Sequence, residues 1–165
     1  MRKKNIWTLI TAMLIPVAVG VFSAFLTGSD MNIYENMNHP FLAPPGWVFP
    51  IAWTVLYIVM GIASYLVYTS DADSETRRRA LTFYAIQLAM NFFWSTLFFT
   101  YSRLMIAFIW IVVMWILTMI CMIKFLKINT AAGLMMGVLL LWTTFAAYLN
   151  LASYIMSITP MPLTS

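Results

Sequence analysis

The chain has 165 residues, of which 63% are hydrophobic and only 8% are charged. So few charged side chains cannot cover the surface of a water-soluble domain of this length. The composition therefore excludes an ordinary soluble globular protein and indicates a protein that is embedded in a membrane.

Five uncharged apolar runs are each long enough, at about 20 residues, to cross a bilayer as an α-helix. The nine basic and five acidic residues all lie outside these runs, and the short alternating segments of a β-barrel do not occur. We therefore predict an all-α integral membrane protein, with one five-helix transmembrane domain over residues 1–158 and a short polar tail over residues 159–165. The predicted spans are Ile6–Leu26, Trp47–Tyr68, Ala80–Tyr101, Leu104–Ile123 and Ala131–Ile158.

Basic residues in the short loops predict the orientation, because Lys and Arg concentrate on the cytoplasmic side of a membrane. Residues 2–4, 77–79, 124 and 127 place eight basic side chains on one side, whereas the other side has Arg103. The amino terminus is therefore predicted to be cytoplasmic and the carboxyl terminus external. Because these residues lie at membrane edges, the net charge of +4 gives no reason to expect a nucleic-acid partner.

Small or narrow residues recur four positions apart in the first span, at Ala12, Pro16, Gly20 and Ala24. Small residues let helix backbones approach closely in lipid, so this ridge is predicted to pack against another helix. Gly133 and Gly137 repeat the spacing in the fifth span. Because the chain has more such ridges than an isolated bundle needs, a homodimer is also predicted.

The connection between the first two spans, Thr27–Gly46, is long for a membrane loop and rich in proline. Pro40, Pro44 and Pro45 lack amide donors and fix φ, so this stretch is expected to be stiff and non-helical. Long ordered loops are usually functional. We therefore predict an ordered lid over the external mouth of the bundle.

Aromatic side chains follow in the second span. Trp53 and Tyr57 are four positions apart and therefore lie on one helix face. Trp47, at the helix start, is equally compatible with an interfacial aromatic belt, but Trp53 lies roughly 10 Å deeper along the helix. A deep Trp–Tyr pair beneath a proline-rich lid predicts the wall of a pocket.

Polar residues recur in the third span, where Gln87, Asn91 and Ser95 are four positions apart and Trp94 lies on the same broad face. Amides in hydrocarbon must find partners. Two kinds of partner stay open, polar groups of other helices or a bound ligand. Residues 73–75, which include two acids, are expected to begin this helix, because anions favour its positive end.

The last two spans differ in character. The fourth, which contains Trp110 and Trp115, shows no polar face and is expected to be a lipid-facing or scaffold helix. Its Cys121 is expected to serve packing. In the fifth span, a tryptophan, an alanine and an asparagine follow one stripe of the helix, at Trp142, Ala146 and Asn150.

The spans contain none of the residue sets that carry common enzyme or transport chemistry. No acid–base pair, activated nucleophile or phosphate loop occurs, and His39 lacks the neighbours of a metal site, so no metal is expected. The intramembrane carboxylates of proton-coupled carriers and the charged rings of ion channels are also absent. Aromatic area and a few amides converge instead, which suits a flat hydrophobic small molecule.

Three stretches of the chain carry motifs. In the lid and second span these are Tyr34, Pro40, Pro44-Pro45-Gly46-Trp47-x-Phe49-Pro50-x-x-Trp53-x-x-Leu56-Tyr57 and Gly61. In the third and fifth spans they are Gln87-x-x-x-Asn91-x-x-Trp94-Ser95 and Trp142-x-x-Phe145-Ala146-x-x-Leu149-Asn150. Together they resemble the TspO/MBR family, the tryptophan-rich translocator proteins, and the similarity spans nearly all of the chain.

The resemblance implies a bacterial-type member in the cell membrane that binds protoporphyrin IX or haem and requires no cofactor, with membrane lipid as its other partner. Some members accelerate the light- and oxygen-dependent breakdown of protoporphyrin IX, and Trp53 and Trp142 match the tryptophans associated with that activity. The implied ligand-binding residues are Tyr34, Pro44, Trp53, Tyr57, Gln87, Asn91, Trp94, Ala146 and Asn150. Two alternatives stay open: transport of porphyrins or other lipophilic molecules, and tetrapyrrole or stress sensing through a protein partner.

Overall fold

The computed structural model describes residues 5–27, 40–95, 97 and 103–159. Within these ranges it has no strand and five long α-helices, which confirms the all-α prediction. The helices are α1 (Ile6–Thr27), α2 (Val48–Tyr68), α3 (Ser74–Ser95), α4 (Leu104–Leu126) and α5 (Thr130–Ile158).

The predicted bounds of α1, α2 and α5 are correct to within one residue. The predicted end of α4 at Ile123 is wrong, because the helix continues through Lys124 to Leu126. The Lys124 ammonium lies 4.7 Å from the centroid of the Phe83 ring, so the charge stays beside the bundle without ending the helix. The predicted end of the third span at Tyr101 and most of the predicted tail lie outside the described residues.

Four of the five helices, α1, α2, α4 and α5, are long and apolar enough to cross a membrane. In α3 the uncharged part that the structure describes runs from Ala80 to Ser95, which is shorter than the roughly 20 residues that a bilayer requires. The crossing of the membrane by α3 therefore stays a prediction.

The start of α3 is fixed by polar contacts. The Asp73 carboxylate accepts hydrogen bonds from the backbone N–H groups of Thr76 and Glu75, at 2.9 and 3.1 Å, and thus caps the helix as predicted. Hydrogen bonding from the Thr76 side chain and backbone holds the pKa of Asp73 below its usual range. Glu75 pairs with Arg79 and Arg78 at 2.6 and 2.7 Å, and these bonds lower the pKa of Glu75.

The helices form a closed ring in the order α1, α2, α5, α4, α3, with α3 returning to α1. The most extensive contact joins α4 to α5, and the next joins α1 to α2. A smaller contact crosses the ring between α2 and α3. The inner faces of α2, α3 and α5 therefore meet in the middle of the bundle.

Close backbone approach holds α1 against α2, as the small-residue ridge predicts. A Cβ atom added at Gly61 would lie 2.5 Å from the Cα atom of Met13, and one added at Gly20 would overlap the Tyr57 ring. The prediction is wrong for Ala24, which is exposed. A second close approach joins α5 to α4, where a Cβ at Gly133 would overlap Leu126.

The fourth helix is a scaffold that hydrogen bonds to both of its neighbours. The indole N–H of Trp110 donates to the carbonyl of Met90 in α3 at 2.8 Å. The indole N–H of Trp115 donates to the Thr144 hydroxyl in α5 at 2.7 Å. Cys121 is fully buried, which agrees with the packing role expected for it.

Candidate functional site

Four aromatic side chains from three helices meet in the middle of the bundle. Trp53 of α2 lies 5.8 Å from Tyr57, 5.9 Å from Trp94 of α3 and 6.3 Å from Trp142 of α5, measured between ring centroids. We call Trp53, Tyr57, Trp94 and Trp142 the central aromatic cluster. The first three are buried and Trp142 is half-buried. The cluster brings together four aromatic residues that the sequence places on three separate predicted spans.

The cluster extends beyond Trp142 through two phenylalanines that were not predicted as site residues, Phe49 of α2 and Phe145 of α5. Phe49 and Phe145 lie 6.2 and 5.8 Å from the Trp142 ring. Helical spacing could have found both, because Phe49 precedes Trp53 by four positions and Phe145 follows Trp142 by three. Trp47, by contrast, is 65% exposed at the start of α2, which favours the interfacial-belt interpretation for that residue.

Gln87 and Asn91 of α3 are completely buried. Neither the oxygen nor the nitrogen of either amide has a hydrogen-bond partner among the described residues. The indole N–H groups of Trp53 and Trp142 are unpartnered within the same part of the chain. A buried donor or acceptor without a partner costs about 1–3 kcal/mol. Amides that join helices would be bonded to a neighbouring helix, so this geometry favours amides that face a ligand.

Asn150 of α5 behaves differently. Its side-chain nitrogen donates to the carbonyl of Leu104 at 3.1 Å and so ties α5 to the first turn of α4, while its oxygen has no partner among the described residues. Ala146 is buried one turn before it, on the stripe that begins at Trp142. The nitrogen of Asn150 therefore serves the scaffold, and its oxygen is the group left for a ligand.

A tight turn lies at the outer end of the site. The N–H of Ala43 donates to the carbonyl of Pro40 at 3.0 Å. Leu42, inside this turn, has a φ of 70°, a left-handed conformation that glycine adopts more readily. The Tyr148 hydroxyl of α5 donates to the Phe41 carbonyl at 2.7 Å. This part of the predicted lid is thus attached to α5.

Pro44 and Tyr34 are the two lid residues that were predicted to bind the ligand. Pro44 is half-buried just after the turn, on the way into α2. Tyr34, which was also predicted to bind the ligand, lies outside the described residues, as does most of the Thr27–Gly46 connection.

The TspO/MBR family model matches residues 12–155, which is most of the chain. The chain belongs to the TspO/MBR family. It is 41% identical over 117 residues to the tryptophan-rich sensory protein of Cereibacter sphaeroides, an alignment that covers 71% of this chain and 72% of that one. It is 32% identical over 154 residues to the tryptophan-rich protein TspO of Archaeoglobus fulgidus, covering 93% and 99%. The translocator protein of Sus scrofa is 29% identical over 139 residues, covering 83% and 82%.

Membership of the TspO/MBR family, together with the four long apolar helices, identifies an integral membrane protein. Its central aromatic cluster contains no charged side chain, and no group of three or more metal-ligating side chains occurs in the described ranges. The chemistry available at the cluster is therefore aromatic stacking and hydrogen bonding by neutral groups. Because the rings contact one another directly, a flat ligand must separate them to stack between them.

Proposed function

We propose that this TspO/MBR protein binds a flat tetrapyrrole, with protoporphyrin IX as its best candidate, at the central aromatic cluster. The observation that carries the proposal is the presence, on the inner faces of the same helices, of four aromatic rings and two buried amides that have no hydrogen-bond partner among the described residues. A macrocycle offers a large apolar face for the rings. It also offers polar atoms at which Gln87 and Asn91 can complete their hydrogen bonds. The proposal assumes that α3 crosses the membrane as a fifth span, in addition to the four helices that are long and apolar enough to do so.

The charges of the ligand are expected to stay outside the cluster. The propionate groups of protoporphyrin IX are anionic near pH 7, and an unpaired charge in hydrocarbon is costly. The described inner faces of α2, α3 and α5 offer no cation to pair with them. The ring should therefore enter first, with its propionates toward the mouth beside Tyr148.

Metal-free protoporphyrin IX suits the site better than haem. Haem iron is commonly held by a histidine, cysteine, methionine or tyrosine side chain. His39, the single histidine of the chain, lies outside the described residues, and Cys121 is buried in α4. The cluster offers indoles, amides and a single group of a type that binds haem iron, the Tyr57 phenol, so most of its groups recognise the organic ring rather than an iron atom.

We further propose that Trp53 and Trp142 take part in the light-dependent oxidation of the bound porphyrin by dioxygen. The porphyrin absorbs the light, and dioxygen is the oxidant. Without a base to accept a proton, indole loses an electron more easily than a phenol or a phenyl ring, so a stacked tryptophan can exchange an electron with the excited ring. The amino terminus is proposed to be cytoplasmic and the carboxyl terminus external, in a bacterial cell membrane.

The test begins with a dark titration of the purified protein in lipid nanodiscs with protoporphyrin IX, followed by the Soret band and by quenching of tryptophan fluorescence. Saturable binding of both protoporphyrin IX and its dimethyl ester, in which the propionates carry no charge, supports the site and the orientation with the propionates outside the cluster. Loss of binding in the ester alone contradicts the orientation. No saturable binding of either compound refutes the proposal.

A second arm measures loss of the Soret band under illumination in air, at equal bound porphyrin. Trp53→Phe and Trp142→Phe keep the aromatic contact but remove the indole. Both are expected to retain binding and to slow the light-driven loss. Trp115→Phe is the matched control, because this tryptophan bonds Thr144 away from the cluster. Equal rates in all three variants would show that the indoles of the cluster are passive.

The homodimer predicted from the sequence stays a prediction. Crosslinking in native membranes tests it directly, because a specific dimer gives one dominant product at low protein density. Capture of monomer alone would count against it.

A further inference from the structure

A single cation lies at the end of the bundle that carries the mouth of the site. Arg103 immediately precedes α4, and its side chain is exposed. It is the one basic residue on the side that the loop charges predict to be external. The described acids, Asp71, Asp73 and Glu75, lie at the turn from α2 into α3, at the opposite end of the helices. Within the described ranges, Arg103 therefore has no carboxylate partner.

Asn150 connects the start of α4 to the site. Its side-chain nitrogen donates to the carbonyl of Leu104, the residue after Arg103, at 3.1 Å. Both Asn150 and Leu104 are buried. Asn150 follows Trp142 by two helical turns on the stripe that passes through Ala146, which is roughly 12 Å along the axis of α5. Arg103 thus lies at the outer end of a stripe that begins in the central aromatic cluster.

The positive end of α4 adds to the charge of Arg103. The first backbone bond of the helix joins the N–H of Ala107 to the carbonyl of Arg103 at 2.8 Å. The N–H groups before Ala107 have no acceptor within the helix and carry a partial positive charge. The first turn contains no acid, and the Arg103 side chain makes no capping bond. A guanidinium beside an uncapped helix start favours an anion, and a carboxylate in particular.

The Asn150 amide gives independent evidence that a group is to be bound here. Its oxygen has no partner among the described residues, although the side chain is completely buried. Its nitrogen already holds the Leu104 carbonyl, so the oxygen lies beside the first turn of α4. A buried acceptor without a donor is costly. An unpaired cation and an unpaired buried acceptor therefore occur together at the outer end of the stripe.

We propose that Arg103 and the positive end of α4 bind one propionate carboxylate of the bound tetrapyrrole. This inference rests on the proposed function and adds the group that receives a propionate at the mouth. The propionates project from one edge of the macrocycle. A ring against Trp142 and Ala146, with that edge outward, brings a propionate to Asn150 and Arg103. The guanidinium presents two parallel N–H donors that match a carboxylate. The ligand class is accordingly a tetrapyrrole with a free carboxylate.

The test uses dark titrations of the protein in nanodiscs of phosphatidylcholine, which has no net charge, with protoporphyrin IX and its dimethyl ester. Because the ester dissolves more readily in lipid, the quantity compared is the ratio of the Kd of the ester to that of the acid in each variant. Arg103→Gln should lower this ratio about fivefold, the effect of one exposed ion pair, by weakening the acid alone. Arg103→Lys keeps the charge but not the paired donors, so the ratio should fall less.

Arg79→Gln is the matched control, because Arg79 is exposed and pairs with Glu75 at the opposite end of the bundle. It should keep the wild-type ratio. Added salt should lower the wild-type ratio, since an exposed pair is screened, and should leave the ratio of Arg103→Gln unchanged. Tryptophan fluorescence verifies that each variant is folded.

Three outcomes would overturn the inference and leave tetrapyrrole binding intact. An unchanged ratio in Arg103→Gln would show that Arg103 contacts lipid headgroups or water. Equal weakening of the acid and the ester would show that Arg103 holds the start of α4. An equal fall of the ratio in Arg79→Gln would show a general effect of surface charge. If the wild type binds neither compound saturably, the proposed function itself is refuted, and this inference with it.

Discussion

Replacement of Asn91 by leucine should make the ligand-free protein more stable and the porphyrin complex weaker. Both polar atoms of Asn91 are buried and have no partner among the described residues. Leucine has a similar size and no polar atom to desolvate, so the folded state loses a cost and no hydrogen bond. We expect the free energy of unfolding to rise by about 1–3 kcal/mol, the cost of leaving a buried polar group unpaired.

The effect on binding has the opposite sign. If the amide completes its hydrogen bonds on the ligand, Asn91→Leu removes about 1 kcal/mol of binding free energy, or roughly a fivefold increase in Kd. Gln87→Met should act in the same way, because Gln87 is equally buried and its amide also has no partner within the described ranges. Ser23→Ala is the matched control. Its hydroxyl donates to the Phe92 carbonyl across α1 and α3 at 3.0 Å, so its removal should lower stability by about 0.6 kcal/mol.

The assay compares unfolding of the three variants in one detergent, followed by circular dichroism, with protoporphyrin IX titrations in the dark. A free energy of unfolding that rises in Asn91→Leu and falls in Ser23→Ala supports an amide that faces the ligand. If Asn91→Leu lowers stability by as much as Ser23→Ala and leaves Kd unchanged, the amide joins helices and the reasoning is refuted.

Three further predictions concern packing, pH and topology. Gly61→Ala should lower the free energy of unfolding by about 1–3 kcal/mol relative to Gly137→Ala. The added Cβ would lie 2.5 Å from the Met13 Cα at Gly61, but 3.5 Å from the flexible Met122 sulfur at Gly137. Equal unfolding temperatures of the two variants would contradict this packing. Because the folded protein lowers the pKa of Asp73, its carboxylate should stabilise the fold fully at pH values above the ordinary pKa of 3.8, and this stabilisation should be lost as the pH falls below that value. The stability of Asp73→Asn, measured by denaturation at each pH, should not show this loss. In a Cys121→Ser background, Phe41→Cys should react with an impermeant thiol reagent from outside and Asp71→Cys from the cytoplasm, and the reverse pattern would overturn the orientation.

Most of the fold could be predicted from the sequence because membrane helices are marked by long uncharged runs. The ends are predicted well where a turn or cap fixes them, as at Gly46 before α2 and at Asn129, which accepts the N–H of Ala132 at the start of α5. The predicted end of α4 is three residues too early, because charged residues usually lie outside a membrane span. Lys124 remains helical since its long side chain reaches the Phe83 ring.

The central aromatic cluster could be predicted in part, because helical spacing places Trp53 with Tyr57 and Trp142 with Ala146. Spacing within one helix cannot show which rings of different helices touch, so the contact between Trp53 and Trp94 required the structure. The bond from Tyr148 to the Phe41 carbonyl was also beyond prediction. It joins residues 107 positions apart, and its acceptor is a backbone atom that no residue type marks.

The distribution of hydrogen bonds indicates which helices would move to admit a ligand. The fourth helix is joined to α3 through Trp110 and to α5 through Trp115 and Asn150, so α4 and its two neighbours form a bonded frame. The contact between α2 and α3, where Trp53 meets Trp94, is less extensive than any of the five contacts between neighbours in the ring. Separation of these two rings breaks aromatic contact that a porphyrin face can replace, whereas separation at α4 would break hydrogen bonds with no replacement. Under the proposed function, α2 therefore moves away from α3 while the frame stays fixed, and the movement opens space for the porphyrin ring between Trp53 and Trp94.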